Sequence, residues 1–476
     1  MFNNRLNTAI IAIAAMCSCL FLAAGASNAL AGTYYVSPSG SASWPSCSNI
    51  NTPCSPQTAF ANAQADDIVY FRGGTYDVGT DPGDGYRGAL QPANSGTQGH
   101  PITFMAYPGE TPVLNGHVTS SNEVVRVLSS GDGTSNWITF DGFVVQADGG
   151  TRAGTIQIGG SGYPGGTGFV VKNCTINAGT SGFAVDDNRD GIRVNNADQV
   201  TISNNKIFGF AKSGGSTDNF AGIKLYRDTN VLISNNELYN NLAGISCKRF
   251  SSDITIAYNY IHDNRTGVIA DINTGWDYSY YRWHIHDNLI NQAGSSQPAI
   301  DLDSQTSGAQ YAYNFEVYNN TIRNVNSACA YVGKVIGFTF YNNICSAYSN
   351  GDYGLFTTVN DASTIAEEDY NQWGTNQFLI QIHRYGSTAN YSSLSSWKSS
   401  GQLAGGGNPG AGDLASDPLF TDASGSFSRI GDFTLAGNSP CKGTGKGGAD
   451  MGANIGLVGL NGGNGGHKPS PPSNLR

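Results

Sequence analysis

The chain has 476 residues and a formal net charge of -10, with 25 Lys and Arg against 35 Asp and Glu, and only 13% of its residues are charged. Its 63 Gly follow no three-residue period, which argues against collagen, and Ala, Leu, Glu and Lys dominate too little for a long helical bundle. Apolar residues at 39%, with 24 Tyr and 21 Phe, argue against a disordered chain, and the acidic balance argues against a nucleic-acid partner.

Residues 1–31 read as a signal peptide. Arg5 is the single charge there, an apolar stretch runs from Ala9 to Ala24, and Ala29-Leu30-Ala31 suits a small-residue cleavage site. No later segment is apolar enough to span a bilayer, so an exported, extracellular chain starting near Gly32 is expected. Cys17 and Cys19 would leave with the signal. Of the seven that remain, Cys47 and Cys54 enclose a short loop and are expected to pair in an oxidising compartment. An odd number leaves at least one free or paired between chains, and Cys174 and Cys247 fall in apolar slots as core thiols.

The middle of the chain repeats. One marker is an Asn ahead of a short β-rich segment, aligned as Asn173, Asn205, Asn236, Asn259, Asn288, Asn320 and Asn343. A second is Gly-Ile-x-apolar, at Gly191-Ile192-Arg193-Val194, Gly222-Ile223-Lys224-Leu225, Gly244-Ile245-Ser246-Cys247 and Gly267-Val268-Ile269-Ala270, with Ala299-Ile300-Asp301-Leu302 as a looser copy. A third β segment precedes each Asn, as in Val231-Leu232-Ile233. A unit this short, with three short strands, cannot bury its own apolar face. Stacked in parallel, such units share one core, which predicts an all-β right-handed parallel β-helix (β-solenoid) over residues 32–455. A regular leucine consensus is absent, and a propeller blade would need four longer strands. Residues 456–476 turn Gly-rich and then Pro-rich, the composition of a linker or tail that could precede a further module.

These segments resemble the pectate-lyase-like superfamily of secreted right-handed parallel β-helices. Tyr34-Tyr35-Val36-Ser37-Pro38-Ser39-Gly40 resembles its first strand, and Asp66 through Tyr76 its first full coil. Asp417-Pro418-Leu419-Phe420, Asp432-Phe433-Thr434-Leu435 and Asp450-Met451-Gly452-Ala453 resemble its closing segment. The superfamily holds lyases, hydrolases, epimerases and non-catalytic proteins, so the resemblance speaks for fold more than for activity.

Strand alternation assigns the chemistry. Ile192, Val194, Ile223, Leu225, Ile245, Cys247, Val268, Ala270, Ile300 and Leu302 should point inward. One outward column then reads Arg193, Lys224, Ser246, Ile269, Asp301, and the next Asn195, Tyr226, Lys248, Asp271, Asp303. Scarce charges thus gather on one sheet, beside the longest insertions, where an extended acidic polysaccharide would fit. The cluster Asp186-Asp187-Asn188-Arg189-Asp190 puts three carboxylates within five residues, which repel unless a cation neutralises them, and hard oxygen donors suit calcium. A turn capped by Asp side chains is the plainer reading.

The cluster also resembles the calcium site of family nine pectate lyases. That resemblance implies Ca2+ on Asp186, Asp187 and Asp190 and a lysine base on a following coil, where Lys224 stands. The preceding coil, around Thr155-Ile156-Gln157-Ile158, offers no further Asp ligand. The expected activity is a secreted lyase cleaving a pectate-like polymer by β-elimination. Lys224, Arg227, Lys248 and Arg249 would be catalytic, and Arg193, Tyr226, Asp271, Asp301, Asp303 and Trp276 would bind substrate. A hydrolase built on Asp271, Asp301 and Asp303, and a glycan-binding protein using Trp276, Tyr278, Tyr280 and Tyr281, are the alternatives. His262, His284 and His286 fall near the Asn column and read as structural. A monomer without nucleic acid or membrane span is expected.

Overall fold

The structure is a computed structural model that describes residues 31–78, 89–116, 128–129, 135–147, 153–160, 165–179, 189–212, 219–249, 251–270, 281–295, 297–302, 311–325, 327–333, 335–346, 353–359, 364–374, 380–384, 387–422 and 427–460. All but Ala31 belong to the unit Gly32–Arg476.

The described strands form three sheets of twelve, ten and eleven strands, and each repeat gives one strand to each. Thr229–Ser234 lies in the first sheet, Glu237–Tyr239 in the second and Ala243–Arg249 in the third. Pairing is parallel throughout, apart from a hairpin of Ile380–Arg384 with Ser387–Tyr391 that ends the third sheet. This is the right-handed parallel β-helix that the repeats predict. All ten inward positions of the Gly-Ile-x-apolar strands are without exposure. The Gly that opens each copy has a steric cause. A Cβ on Gly222 would stand 2.8 Å from the carbonyl oxygen of Gly244, and one on Gly244 would stand 2.7 Å from that of Gly267. The looser copy at Ala299 begins where this stack ends.

The Asn column is a hydrogen-bonded ladder. The backbone N–H of Asn205 donates to Asn236 Oδ1 at 2.9 Å, that of Asn236 to Asn259 Oδ1 at 3.0 Å, and that of Asn259 to Asn288 Oδ1 at 3.0 Å. Each buried amide nitrogen donates in turn to the next Asn and to a carbonyl of the preceding coil. The column continues through Asn320, Asn343 and Asn371 to Asp413. The alignment of Asn173 with it is corrected by one residue. Cys174 fills the ladder slot and donates its N–H to Asn205 Oδ1, whereas Asn173 has φ 55°. It shares that left-handed conformation with Asn204, Asn235, Asp287, Asn319 and Asn342, at a corner that Asn tolerates better than most residues. A second, shorter ladder of Asn241, Asn264 and Gln292 has the same geometry.

The N-terminal end of the core is covered by a helix. Helix α1, Pro56–Asn62, starts at an N-cap in which Ser55 Oγ accepts the Thr58 N–H, and its Phe60 stacks on Phe104 with ring centroids 4.0 Å apart. On the outside of the second sheet, Phe427, Phe433 and Val458 pack over Tyr260 and Leu289 of its middle strands. Cys174 and Cys247 are buried core thiols as expected. The expected Cys47–Cys54 bridge is not formed: both are buried free thiols, near enough for burial and the Cys47 thiol to raise the Cys54 thiol above its usual range. The bridge joins Cys329, in the third sheet, to Cys345, in the second. Among the described residues no helix is long and apolar enough to cross a membrane.

Candidate active site

The third sheet carries the candidate site on its outer face. Its strands Arg189–Asn195, Phe220–Tyr226 and Ala243–Arg249 pair in parallel, with Arg193 beside Lys224 and Lys224 beside Ser246. Ser246 pairs with Ile269, and Ile269 with Asp301. The first outward column therefore runs as the alternation requires, and Gln157 extends it one coil before Arg193.

The second column departs from expectation. Asn195 pairs with Tyr226, but the register shifts after Leu225, so Tyr226 faces Arg249 and not Lys248. One extra residue in the later strand makes a bulge, which re-aims the side chains that follow. Lys248 points to Asn219, with Nζ 3.4 Å from its Oδ1. Arg249 thus takes the place beside Tyr226, and Arg227 sits at the turn beyond it with φ 59°. Asp186, Asp187, Asp271, Trp276 and Asp303 lie outside the described residues.

Charge is concentrated where Arg193, Lys224 and Asp190 meet. Asp190 is without exposure, and its Oδ2 accepts from Arg193 Nε at 2.8 Å and from Nη2 at 2.5 Å. Its Oδ1 accepts the Ala221 N–H at 3.2 Å and lies 4.0 Å from Lys224 Nζ. Lys224 is itself without exposure. The Tyr226 ring spans both cations, its centroid 5.5 Å from Arg193 Cζ and 5.8 Å from Lys224 Nζ. Burial raises the Tyr226 hydroxyl above its usual range, and nearby Arg193 opposes that shift. Buried ions persist only when paired and hydrogen-bonded, so this carboxylate is the anchor of the cluster.

Two neighbours were not singled out by the sequence. Asp228 is fully buried behind the site strand, accepting the Ala197 N–H at 3.0 Å and the Tyr226 N–H at 2.7 Å, and burial pushes its carboxyl well above the usual range. It fixes the turn that leaves Tyr226. The corner positions Ala197, Asp228 and Ser251 carry small or polar residues, which is the signal that marks them. Ser246, placed in the column but given no role, is fully buried beside Lys224.

Calcium can be judged on Asp190 alone. One oxygen carries a guanidinium and the other a backbone N–H and a facing ammonium, a setting already supplied with positive charge. Among the described residues no three His, Cys, Asp or Glu side chains converge on a metal position. Of the three expected calcium ligands only Asp190 is described, and both of its oxygens are engaged by the protein. Of the carboxyls expected for a hydrolase, Asp271, Asp301 and Asp303, only Asp301 is described. Asp190 and Asp301 are four coils apart along the sheet, on the order of 19 Å at the usual strand spacing, whereas hydrolytic carboxyl pairs stand about 5–9.5 Å apart. The three histidines lie on the other two sheets: His262 stacks between Tyr239 and Tyr260, His284 meets Glu316, and His286 stacks on Tyr318.

No curated protein matches the chain. Among solved structures, the pectate lyase Pel9A is 17% identical over 88% of this chain and 95% of its own, with TM-score 0.49. A structure of XylC with xylose is 12% identical over 82% and 87%, with TM-score 0.48. A rhamnogalacturonan lyase is 16% identical over 80% and 87%, with TM-score 0.41. A family model described as the right handed beta helix region matches residues 132–343, the stretch that holds Asp190, Arg193, Lys224 and the Asn ladder. With its three parallel sheets and that matched region, the chain is a right-handed parallel β-helix protein.

Proposed function

We propose that this chain is a secreted polysaccharide lyase that cleaves an extended, uronate-containing polymer by β-elimination, with Lys224 as the base. The observation that carries this reading is the buried Asp190–Arg193–Lys224 cluster, set on adjacent strands of one sheet in a chain poor in charge. Arg193, bonded to Asp190, offsets the carboxylate charge that faces Lys224 at 4.0 Å. The cluster meets the surface at Tyr226 and at Arg193, whose side chain keeps 13% exposure.

In the reaction, neutral Lys224 Nζ takes the proton from the sugar carbon that bears the carboxylate. The released electron pair forms a carbon–carbon double bond as the neighbouring bond to the glycosidic oxygen breaks. That oxygen leaves with its pair and is protonated by water. Arg249, brought beside Tyr226 by the bulge, and Arg227 at the next turn would hold the substrate carboxylate as planar forks. Lys248 adds positive charge, and Asp301, with Asp271, Asp303 and Trp276, would bind sugars further along the sheet. Calcium on Asp186, Asp187 and Asp190 is a separate proposal on which none of these steps depends. Calorimetry tests it: calcium binding should be weakened strongly in Asp187→Ala.

Loss of a general base typically costs about 10²–10⁴-fold in rate. Lys224→Ala should lose that much unsaturated product on polygalacturonate, read by ultraviolet absorbance, while keeping the wild-type circular dichroism spectrum. Full activity in that variant would remove Lys224 from the reaction.

A further inference from the structure

A groove of about 360 Å³ lies on the outer face of the first sheet, whereas Lys224 stands on the third. Its floor is one outward column, in which Thr139, Val170, Thr201 and Leu232 pair in register across four coils. Their inward neighbours Val171, Ile202 and Ile233 are without exposure, so alternation turns the column outward. Gly99 and Pro101, on the turn before the strand Ile102–Ala106, form one wall. At the corner ahead of the floor strands the chain is left-handed in each coil, with φ 55° at Trp137, 79° at Gly168, 53° at Gln199 and 53° at Asn230. Gly168 leaves the space that the Trp137 ring fills, since a Cβ there would overlap the ring. The indole is thus held against the glycine backbone of the next coil, half-buried, and lines the groove. Gln199 and Asn230 continue the corner and line the groove further along. One carboxylate orients both amides: Asp198 accepts from Gln199 Nε2 at 3.2 Å and from Asn230 Nδ2 at 2.7 Å. A carboxylate only accepts, so the amide nitrogens face Asp198 and the carbonyl oxygens are turned away from it. Among the described residues that line the groove, none carries a charge. An aromatic wall, an apolar floor and a few fixed polar groups are the usual make-up of a small-molecule site, whose volumes start near about 300 Å³.

We propose that this groove binds a neutral sugar of a glycan chain, with Trp137 packed against the C–H face of the pyranose and the Gln199 and Asn230 carbonyl oxygens accepting from its hydroxyls. Charge selects the occupant. The lining offers no cation to a uronate carboxylate, and Asp198 behind the two amides repels one. A neutral sugar supplies hydroxyl donors for the oriented carbonyls and an apolar face for the indole. A purely aliphatic ligand would cover those carbonyls and leave them unpaired. The inference does not depend on the lyase reading: it gives the protein a hold, on a different sheet, on a polymer that carries uncharged sugars.

Affinity electrophoresis tests it, in native gels containing galactan, xylan, glucan or polygalacturonate. At least one neutral glycan should retard the wild-type protein. Trp137→Ala should weaken that retardation about tenfold or more, the usual scale for truncating an aromatic anchor. Thr201→Phe, at an outward strand position that suits an aromatic residue, should fill the groove and weaken it as much, with the thermal midpoint unchanged. Where Trp137→Ala also lowers the midpoint, Thr201→Phe decides. Retardation by polygalacturonate should be the same in all three proteins. A wild type that none of the neutral glycans retards overturns the inference, as does a folded Thr201→Phe that is retarded like wild type. An equal loss on polygalacturonate in Thr201→Phe also overturns it, because the groove would then not select uncharged sugars. If polygalacturonate retards none of the three while a neutral glycan retards wild type alone, the acidic substrate of the lyase reading fails and this inference stands.

Discussion

Asp190 is without exposure and pairs with Arg193 at the cationic end of the third sheet. In the sequence it is the third acid of a cluster that suggests a metal. In the fold it is the buried acceptor for Arg193 and the Ala221 N–H, and it faces Lys224 Nζ at 4.0 Å. Removing it would leave two cations without their shared partner, and breaking a buried pair costs about 3–5 kcal/mol. Asp190→Asn should therefore lower stability by an amount near that range in urea unfolding and reduce activity as well. Lys224 was legible because a lysine at the x of Gly-Ile-x-apolar must face outward. Its burial was not, since alternation gives direction and says nothing of what lies over the sheet. Arg249 replaced Lys248 beside Tyr226 because a bulge adds one residue without leaving a mark in the hydrophobic pattern.

Among the elements, the Asn ladder determines how coils stack. Asn259 bonds through its side chain to the Asn236 N–H, to the Ile233 and Ala257 carbonyls and to Asn288 Oδ1. Asn259→Ala leaves several of these buried groups unpaired, at about 1–3 kcal/mol for each. Urea unfolding should show a loss of at least that size. Asn173→Gly, at an exposed left-handed corner, should be close to neutral. The ladder was visible in sequence as a repeated Asn, and its one misaligned member was Asn173, because two Asn positions sit side by side in most copies. Cys174 broke that doubling. The second ladder escaped notice because its members, Asn241, Asn264 and Gln292, differ in residue type and have no common flanking motif.

Across the whole molecule, the ladder ends in a buried carboxyl pair that ties stability to pH. Glu368 accepts from Asn371 Nδ2 and Trp397 Nε1, and Asp413 accepts from the Asn371 N–H and Trp373 Nε1. Burial and the mutual hydrogen bond hold Glu368 well above the usual carboxylate range, and burial pushes Asp413 up to about 6. Raised values mean that the folded state binds these protons more tightly than the unfolded chain, whose carboxyls titrate near about 4. The pair's contribution is therefore complete below about pH 4 and is lost as pH rises through about 6. Glu368→Gln, which keeps a neutral partner for Asp413, should flatten the fall in thermal midpoint between those values.

The fold as a whole was readable because every coil repeats the same inward residues. The function was less so, because a site on a solenoid draws single residues from separate coils, and part of the expected set lies outside the described residues. The most direct test of the central claim is to incubate the wild-type protein with polygalacturonate and count two products, unsaturated uronate by ultraviolet absorbance and new reducing ends by colour assay. Elimination predicts one unsaturated end for every new reducing end. Reducing ends that accumulate with no unsaturated product would contradict it and make the protein a hydrolase.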